Sequence, residues 1–407
     1  MIARWLGKEV DSSLRNFRVV NLTGARQCGK TTLSNMLDLH NVLRYALDND
    51  ETRRAAASDP LGFVDRKDDE TIVIDEIQKA PELLNAIKIR VDACNAKGQY
   101  LLTGSSNLHF VKAVSDSPAG RIGKVRLRTL AYGERIGGSG DFLDRAFARD
   151  FPPVTSGVDK RAVIRLAAQS GYPEAMELEP RYRKKWFQAY LDNLLTKDIR
   201  DVTEIRKLDV LRKIAVWLLA HSSKFFEVAE LAAKTGVGKA TVDTYLSALK
   251  ALYVFDEVPP WTKGDYSKIG KRSKYFASDS GLVVNILGWS DESIYMDGDM
   301  SGKTIETWVY QNLASLVDVQ GDCELSQYRD SKKREIDFIV ERSDGAILGI
   351  EVKAGSSLGE EDFKHLKWFA ANLAKEQQFT GIVLYSGDHT LRFGEGFYAV
   401  PLAALGA

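Results

Sequence analysis

One stretch constrains this chain more than any other: Leu22-Thr-Gly-Ala-Arg-Gln-Cys-Gly-Lys-Thr-Thr-Leu33. Arg18 to Leu22 read as a short apolar strand. Gly24 to Thr31 fit G-x-x-x-x-G-K-S/T, and Thr32 to Leu39 continue as a helix. Strand, glycine loop and helix in that order are the context a phosphate-binding loop requires. Gly24 and Gly29 let the backbone turn and bring its N–H groups close to a phosphate, and the helix N-terminus adds partial positive charge. Lys30 is placed to reach β- and γ-phosphates, and the Thr31 hydroxyl to ligate Mg2+. The segment Gly24, Ala25, Arg26, Gln27, Cys28, Gly29, Lys30, Thr31 and Thr32 is therefore expected to hold ATP.

A buried parallel sheet should follow. Val42, Leu43, Tyr45 and Leu47 alternate into a polar turn, and Thr71-Ile-Val-Ile-Asp-Glu-Ile77 is an apolar strand ending on two carboxylates. Continuous apolar strands suit a parallel sheet covered on both faces, and ligands bind at the carboxyl ends of such strands. Asp75 would hold the Mg2+ hydration shell, and Glu76 would orient and deprotonate the attacking water. Gln99 to Gly104 forms a third strand, ending in Ser105-Ser106-Asn107, with Ser105 placed to sense a γ-phosphate.

At 407 residues the chain exceeds one ordinary domain. Lys+Arg and Asp+Glu balance at 56 each, so net charge announces no nucleic-acid partner and local basic patches would have to meet one. Cys28, Cys94 and Cys323 form no C-x-x-C pair, which suits a reducing compartment. No long apolar stretch or signal-peptide core is present, so the expectation is a cytoplasmic protein without a membrane partner.

The run from Gly24 to Thr32, with Ile74-Asp-Glu-Ile-Gln-Lys, Leu102-Thr-Gly-Ser-Ser and Ala119-Gly-Arg, resembles the prokaryotic AAA-superfamily ATPases that carry a C-terminal domain of unknown function. The family more often has Val where this chain has Cys28. The resemblance implies that Arg121 contacts the γ-phosphate, in its own subunit or in a neighbour within a homo-oligomer. A surface arginine in the basic run Arg121 to Arg128 is the other reading, and both stay open.

Asp150-Phe-Pro-Pro and Ser156-Gly157 mark a joint. Helices are predicted over Arg161 to Gln169, Arg181 to Leu195 and Asp209 to Ala220, with Tyr182, Trp186 and Tyr190 as lid core. Phe226 to Leu246 reads as a helix-turn-helix: Leu231 and Ala232 pack inward, Gly236-Val237-Gly238 turns, and Val242, Leu246 and Leu249 face the core. With the strand Tyr253 to Val258 this matches a winged helix. Lys239, Thr241 and Asp243 would meet DNA, but Asp243 repels phosphate, so a structural or docking role stands beside DNA reading. Lys271-Arg-Ser-Lys274, placed on the wing, favours DNA.

In the last region a helix opens at Gly302-Lys-Thr-Ile-Glu306. Strands follow over Glu324 to Arg329, Glu335 to Glu341 and Ala346 to Lys353, then a helix from Glu360 to Leu373 and a strand Gly381 to Tyr385. This αβββαβ order, with Asp337 and Glu351-Val352-Lys353, is similar to the PD-(D/E)XK nuclease superfamily. Glu351 and Lys353 are two apart on a strand and share a face. Asp337, Glu351 and Glu306 would bind Mg2+, and Lys353 would activate water or stabilise the phosphate. The fold class is thus α/β: an AAA-type P-loop domain (1–150), a helical lid with winged helix (151–300) and a restriction-endonuclease-like domain (301–407). ATP and Mg2+ are the expected cofactors. DNA or RNA is the substrate on one reading; on the other, a nucleotide-dependent switch docks protein partners through an inactive nuclease-like fold.

Overall fold

The structure, a computed structural model, describes residues 2–67, 69–104, 122–151, 158–202, 205, 207–263 and 272–406. Ser105, Arg121, Lys271 and most of the Pro/Gly joint lie outside these residues.

The first sheet contains β1 (Val19–Thr23), β2 (Val42–Ala46), β3 (Thr71–Asp75), β4 (Tyr100–Gly104) and β5 (Ile122–Arg126). They run parallel in the order β2-β3-β4-β1-β5. Side chains alternate across it as the pleat requires. Val19, Ile72, Ile74, Tyr100 and Leu102 pack on the side of the Glu82–Ala93 helix. Val20, Leu22, Val73 and Leu101 pack on the other, with Val10 and Leu14 of the Gly7–Asn16 helix and Leu6 at its N-cap. The helix after the glycine loop spans Lys30–Met36 and stops before Leu39, because Leu37 turns extended.

That second core runs on into the middle helices, where Phe187, Leu191, Leu211, Ile214, Leu246 and Leu249 belong to the same cluster. Trp186 stacks on Tyr190 with ring centroids 5.1 Å apart, and Tyr172 and Phe187 complete the aromatic group. Tyr182 does not join it: it lies in the first turn of the Pro180–Asn193 helix and is 44% exposed. Beyond Pro180–Asn193 the backbone widens into a π-helical turn, Leu194–Asp198. The helices Val228–Thr235 and Lys239–Ala251 join through Gly236, whose φ of 70° is left-handed, and precede an antiparallel pair, β6 (Phe255–Val258) and β7 (Lys274–Ala277).

The last sheet contains β8 (Cys323–Arg329), β9 (Glu335–Arg342), β10 (Ile347–Lys353), β11 (Phe379–Tyr385), β12 (Leu391–Arg392) and β13 (Phe397–Pro401), ordered β12-β13-β11-β10-β9-β8. It does not close at Tyr385, because β13 adds parallel to β11. The helix before it spans Gly298–Gln320, beginning at Gly298 rather than Gly302 because Asp297 caps it by accepting the Met300 N–H. Its core recruits Tyr132, Phe142 and Phe147 from the helices that follow β5, so packing crosses the segments read from sequence.

Candidate functional site

The glycine loop is held open by contacts from far along the chain. Gly24 has φ +150°, and a Cβ there would stand 2.2 Å from the Leu127 carbonyl oxygen, so only glycine fits. Gln27 and Gly29 also have positive φ, at 61° and 103°. Cys28 is fully buried with its Sγ 3.4 Å from the Leu127 oxygen. Arg4 donates to the Cys28 carbonyl at 2.8 Å, to the Arg128 carbonyl at 2.7 Å and to Glu134 at 3.0 Å. Inside the loop, the Lys30 Nζ donates to the carbonyls of Gly24 (3.0 Å) and Ala25 (2.9 Å) and is buried.

The strand order brings the carboxyl ends of β1, β3 and β4 to one place. The Thr31 hydroxyl donates to Asp75 Oδ2 at 2.8 Å. Thr103, fully buried on β4 between β1 and β3, donates to Asp75 Oδ1 and accepts the Glu76 N–H at 3.3 Å. Glu76 itself lies one residue past the strand in the left-handed region, φ 58°, with its carboxylate accepting from Gln78. Such a φ on a non-glycine residue costs energy and concentrates at functional positions. The sequence carried one signal for Thr103, a lone polar residue inside an otherwise apolar strand.

A cleft of about 670 Å³ opens over the loop, with Lys30, Thr31, Thr32, Asp48 and Glu76 on the sheet side and Glu174, Lys197 and Asp198 on the helical side. Two loop residues are tied across it. Arg26 donates to Asp198 Oδ1 at 2.6 Å, and Gln27 to Glu174 Oε2 at 3.4 Å. Burial pulls the Arg26 guanidinium down, but Asp198 outweighs it and holds it above its ordinary value. No local pattern marks Asp198. Oxygen donors at Thr31 and Asp75, beside a loop of N–H groups and a lysine, fit a Mg2+-bound polyphosphate.

The C-terminal acidic residues also converge, but around a lysine. Lys274, at the start of β7, is 3% exposed; its Nζ lies 2.5 Å from Glu306, 3.0 Å from Glu335 and 3.0 Å from Asp337. Asp337 Oδ2 accepts the Val352 N–H of β10 at 3.0 Å. Burial pushes the Asp337 carboxyl up, but the Lys274 ammonium wins and holds it below its ordinary value. Glu306 is pushed up to about 8 by burial and by the Asp337 charge, against the pull of Lys274. Burial, then Asp337, holds Glu351 well above the usual range. Lys353 faces Asp362 at 3.4 Å. Among the described residues no group of acidic, His or Cys side chains is arranged to hold a metal ion. The expectation that Lys274 is a basic residue of a DNA-facing wing is corrected: its ammonium is buried inside the molecule. Arg272 pairs with Glu227. Lys239 and Asp243 are exposed, while Val242, Leu246 and Leu249 are buried.

Residues 16–136 match the AAA domain, 160–293 a domain of unknown function (DUF8612) and 301–405 another (DUF4143). Uncharacterized proteins of Mycobacterium bovis and Mycobacterium tuberculosis are each 27% identical over 396 residues, spanning 96% of this chain and 81% of theirs. Among solved structures, a Walker-type ATPase of Pyrococcus abyssi is 16% identical with TM-score 0.42, covering 69% of this chain and 93% of its own. The Thermotoga maritima RuvB Holliday junction branch migration motor is 15% identical with TM-score 0.29, covering 71% and 96%. No described helix is long and apolar enough to cross a membrane.

Proposed function

We propose that this chain, whose N-terminal part is an AAA-superfamily P-loop ATPase domain, binds and hydrolyses ATP in the cleft above the glycine loop and couples that cycle to its C-terminal domain. The observation that carries the reading is the Thr31–Asp75 hydrogen bond of 2.8 Å, which joins the loop to the end of β3. Lys30 turns from the Gly24 and Ala25 carbonyls to the β- and γ-phosphates. Thr31 and Asp75 would hold Mg2+, which would supply positive charge to neutralise the phosphates. Glu76, set past the strand end, takes the proton of the attacking water, and Thr103 fixes the Asp75 carboxylate and the Glu76 backbone. Ser105 senses the γ-phosphate, and Arg121 supplies a cation from its own or a neighbouring subunit.

Lys30→Ala should abolish hydrolysis and strongly weaken binding, whereas Glu76→Gln should bind ATP and fail to turn over, as read by isothermal titration and phosphate release. Hydrolysis at the wild-type rate by Glu76→Gln would remove Glu76 as the base. Mixing Arg121→Ala with Lys30→Ala protein restores turnover only when the arginine acts across subunits of a homo-oligomer.

The C-terminal part of the proposal is a nuclease-like domain acting on DNA or RNA. It is supported by Asp337 on β9 and Glu351 and Lys353 on β10, with Glu306 beside Asp337 on the preceding helix. The helix-turn-helix with β6 and β7 serves as a winged helix. Asp337→Ala or Lys353→Ala should eliminate metal-dependent cleavage and spare ATP hydrolysis. The second reading, a nucleotide-dependent switch docking protein partners through an inactive nuclease-like fold, is favoured by the lysine seated among the carboxylates. A gel assay on single- and double-stranded DNA and RNA, with Mg2+ or Mn2+ and with or without ATP, separates them: no cleavage leaves the switch.

A further inference from the structure

We infer that the Lys274 ammonium is the resident cation of the C-terminal acidic centre, a latch that keeps divalent metal out while β6 and β7 are docked. The inference rests on reading that centre as cation-binding; it does not require that the domain cuts anything.

The geometry excludes joint occupancy. Mg2+ takes oxygen ligands at about 2.0–2.1 Å in a near-ideal octahedron. The Lys274 Nζ instead stands 2.5–3.0 Å from Glu306, Glu335 and Asp337, the spacing of ammonium to carboxylate. Both Asp337 oxygens are engaged, one by Lys274 and the other by the Val352 N–H. A metal ion among these carboxylates would meet the ammonium at contact distance, so the residues fit a divalent ion only after Lys274 leaves.

Lys274 also reaches the acidic centre from a different region of the chain. It begins β7, which pairs with β6 and belongs to the middle region, whereas its carboxylates lie on the Gly298–Gln320 helix and β9. The pair is fastened to the C-terminal region by core packing, Val258 and Phe276 sharing a cluster with Tyr310 and Phe338 and Trp261 lying against Phe369, and by hydrogen bonds at its stems. Trp261 N donates to the Gln327 carbonyl at 2.6 Å, Gln327 N to the Pro259 carbonyl at 2.9 Å, and Trp261 Nε1 to Glu341 at 2.8 Å. On its other side, β6 carries Asp256, which is ion-paired to Arg126 of β5, the strand next to the glycine-loop strand β1. The latch therefore spans the regions that an ATP cycle would have to connect.

The test is Mn2+ titration of the nucleotide-free full-length protein, followed by electron paramagnetic resonance. Wild-type and Asp337→Asn proteins should bind Mn2+ alike. Lys274→Met should gain an Mn2+ site that the wild type lacks, and Lys274→Met/Asp337→Asn should lose it. Because Lys274→Met leaves carboxylates facing one another, the charge-compensated Lys274→Met/Glu335→Gln protein is titrated in parallel, with folding checked by circular dichroism. Asp337-dependent Mn2+ binding by the wild type overturns the inference, and so does a folded Lys274 variant that gains no site. Metal-loaded Lys274 variants that cut no nucleic acid would sink the nuclease reading alone.

Discussion

At the scale of single residues, the nucleotide cleft depends on side chains whose partners are far away in sequence. Thr103 is the clearest case, with one hydroxyl serving both Asp75 and the Glu76 N–H. Thr103→Val keeps the shape and removes the hydroxyl. Leaving such buried groups unpaired costs about 1–3 kcal/mol, so turnover should fall by roughly tenfold or more while ATP affinity changes little. Phosphate release beside nucleotide titration measures both, and wild-type turnover would remove Thr103 from the mechanism. Gly24→Ala should abolish nucleotide binding outright, since its Cβ would overlap the Leu127 oxygen; a variant that binds ATP normally would refute that. The loop, Asp75 and Glu76 were legible because each sits at a strand end that its own neighbours define. Arg4 and Asp198 were not, because nothing within a few residues of them records what they touch.

Elements were legible where their pattern is local. The strands that became β1, β3 and β4, and the inward face of Val242, Leu246 and Leu249, follow from periodicity alone. β12 and β13 were missed: β12 is two exposed residues, and β13 follows Gly394 and Gly396 and ends on Pro401. The Ser280–Leu287 helix shows how tertiary contact reverses a local rule. Within a helix, Gly→Ala ordinarily stabilises by about 1 kcal/mol. At Gly281, though, a Cβ would lie 2.3 Å from the Ser170 Cβ and 2.7 Å from its Cα. Gly281→Ala should therefore destabilise by about 1–3 kcal/mol, the usual cost of overpacking. Thermal melting decides it, and a raised melting temperature would show that the contact yields.

At the scale of the whole molecule, Asp256 on β6 ties the regions together. It accepts from Arg126 at 2.7 and 3.0 Å, from Arg128 at 2.9 Å and from the Tyr310 hydroxyl at 2.8 Å, while Arg128 also reaches Asp318 at 2.6 Å. Burial pushes the Asp256 carboxyl up, but the two guanidinium groups outweigh it and hold it well below its ordinary 3.8. With the folded value depressed, this contribution is complete above that ordinary value and is lost as pH falls through the folded one. Asp256→Asn should cost about 3–5 kcal/mol at neutral pH, because it strands buried arginines. Melts at falling pH should show the gap to wild type narrowing only below the ordinary value; a gap constant down to the acid limit would mean that Asp256 acts by packing alone. The amino-acid sequence by itself determined the glycine loop, the carboxylates at the end of β3 and the Glu351–Lys353 spacing on β10, because a turn, a strand end and a pleat are set by adjacent residues. Only the tertiary structure decided that β4 lies between β1 and β3 and sets Thr103 against Asp75. It alone decided that Lys274, 63 residues before Asp337, occupies the acidic centre. Charges attract whatever comes near them in space, and periodicity does not record which charge that will be.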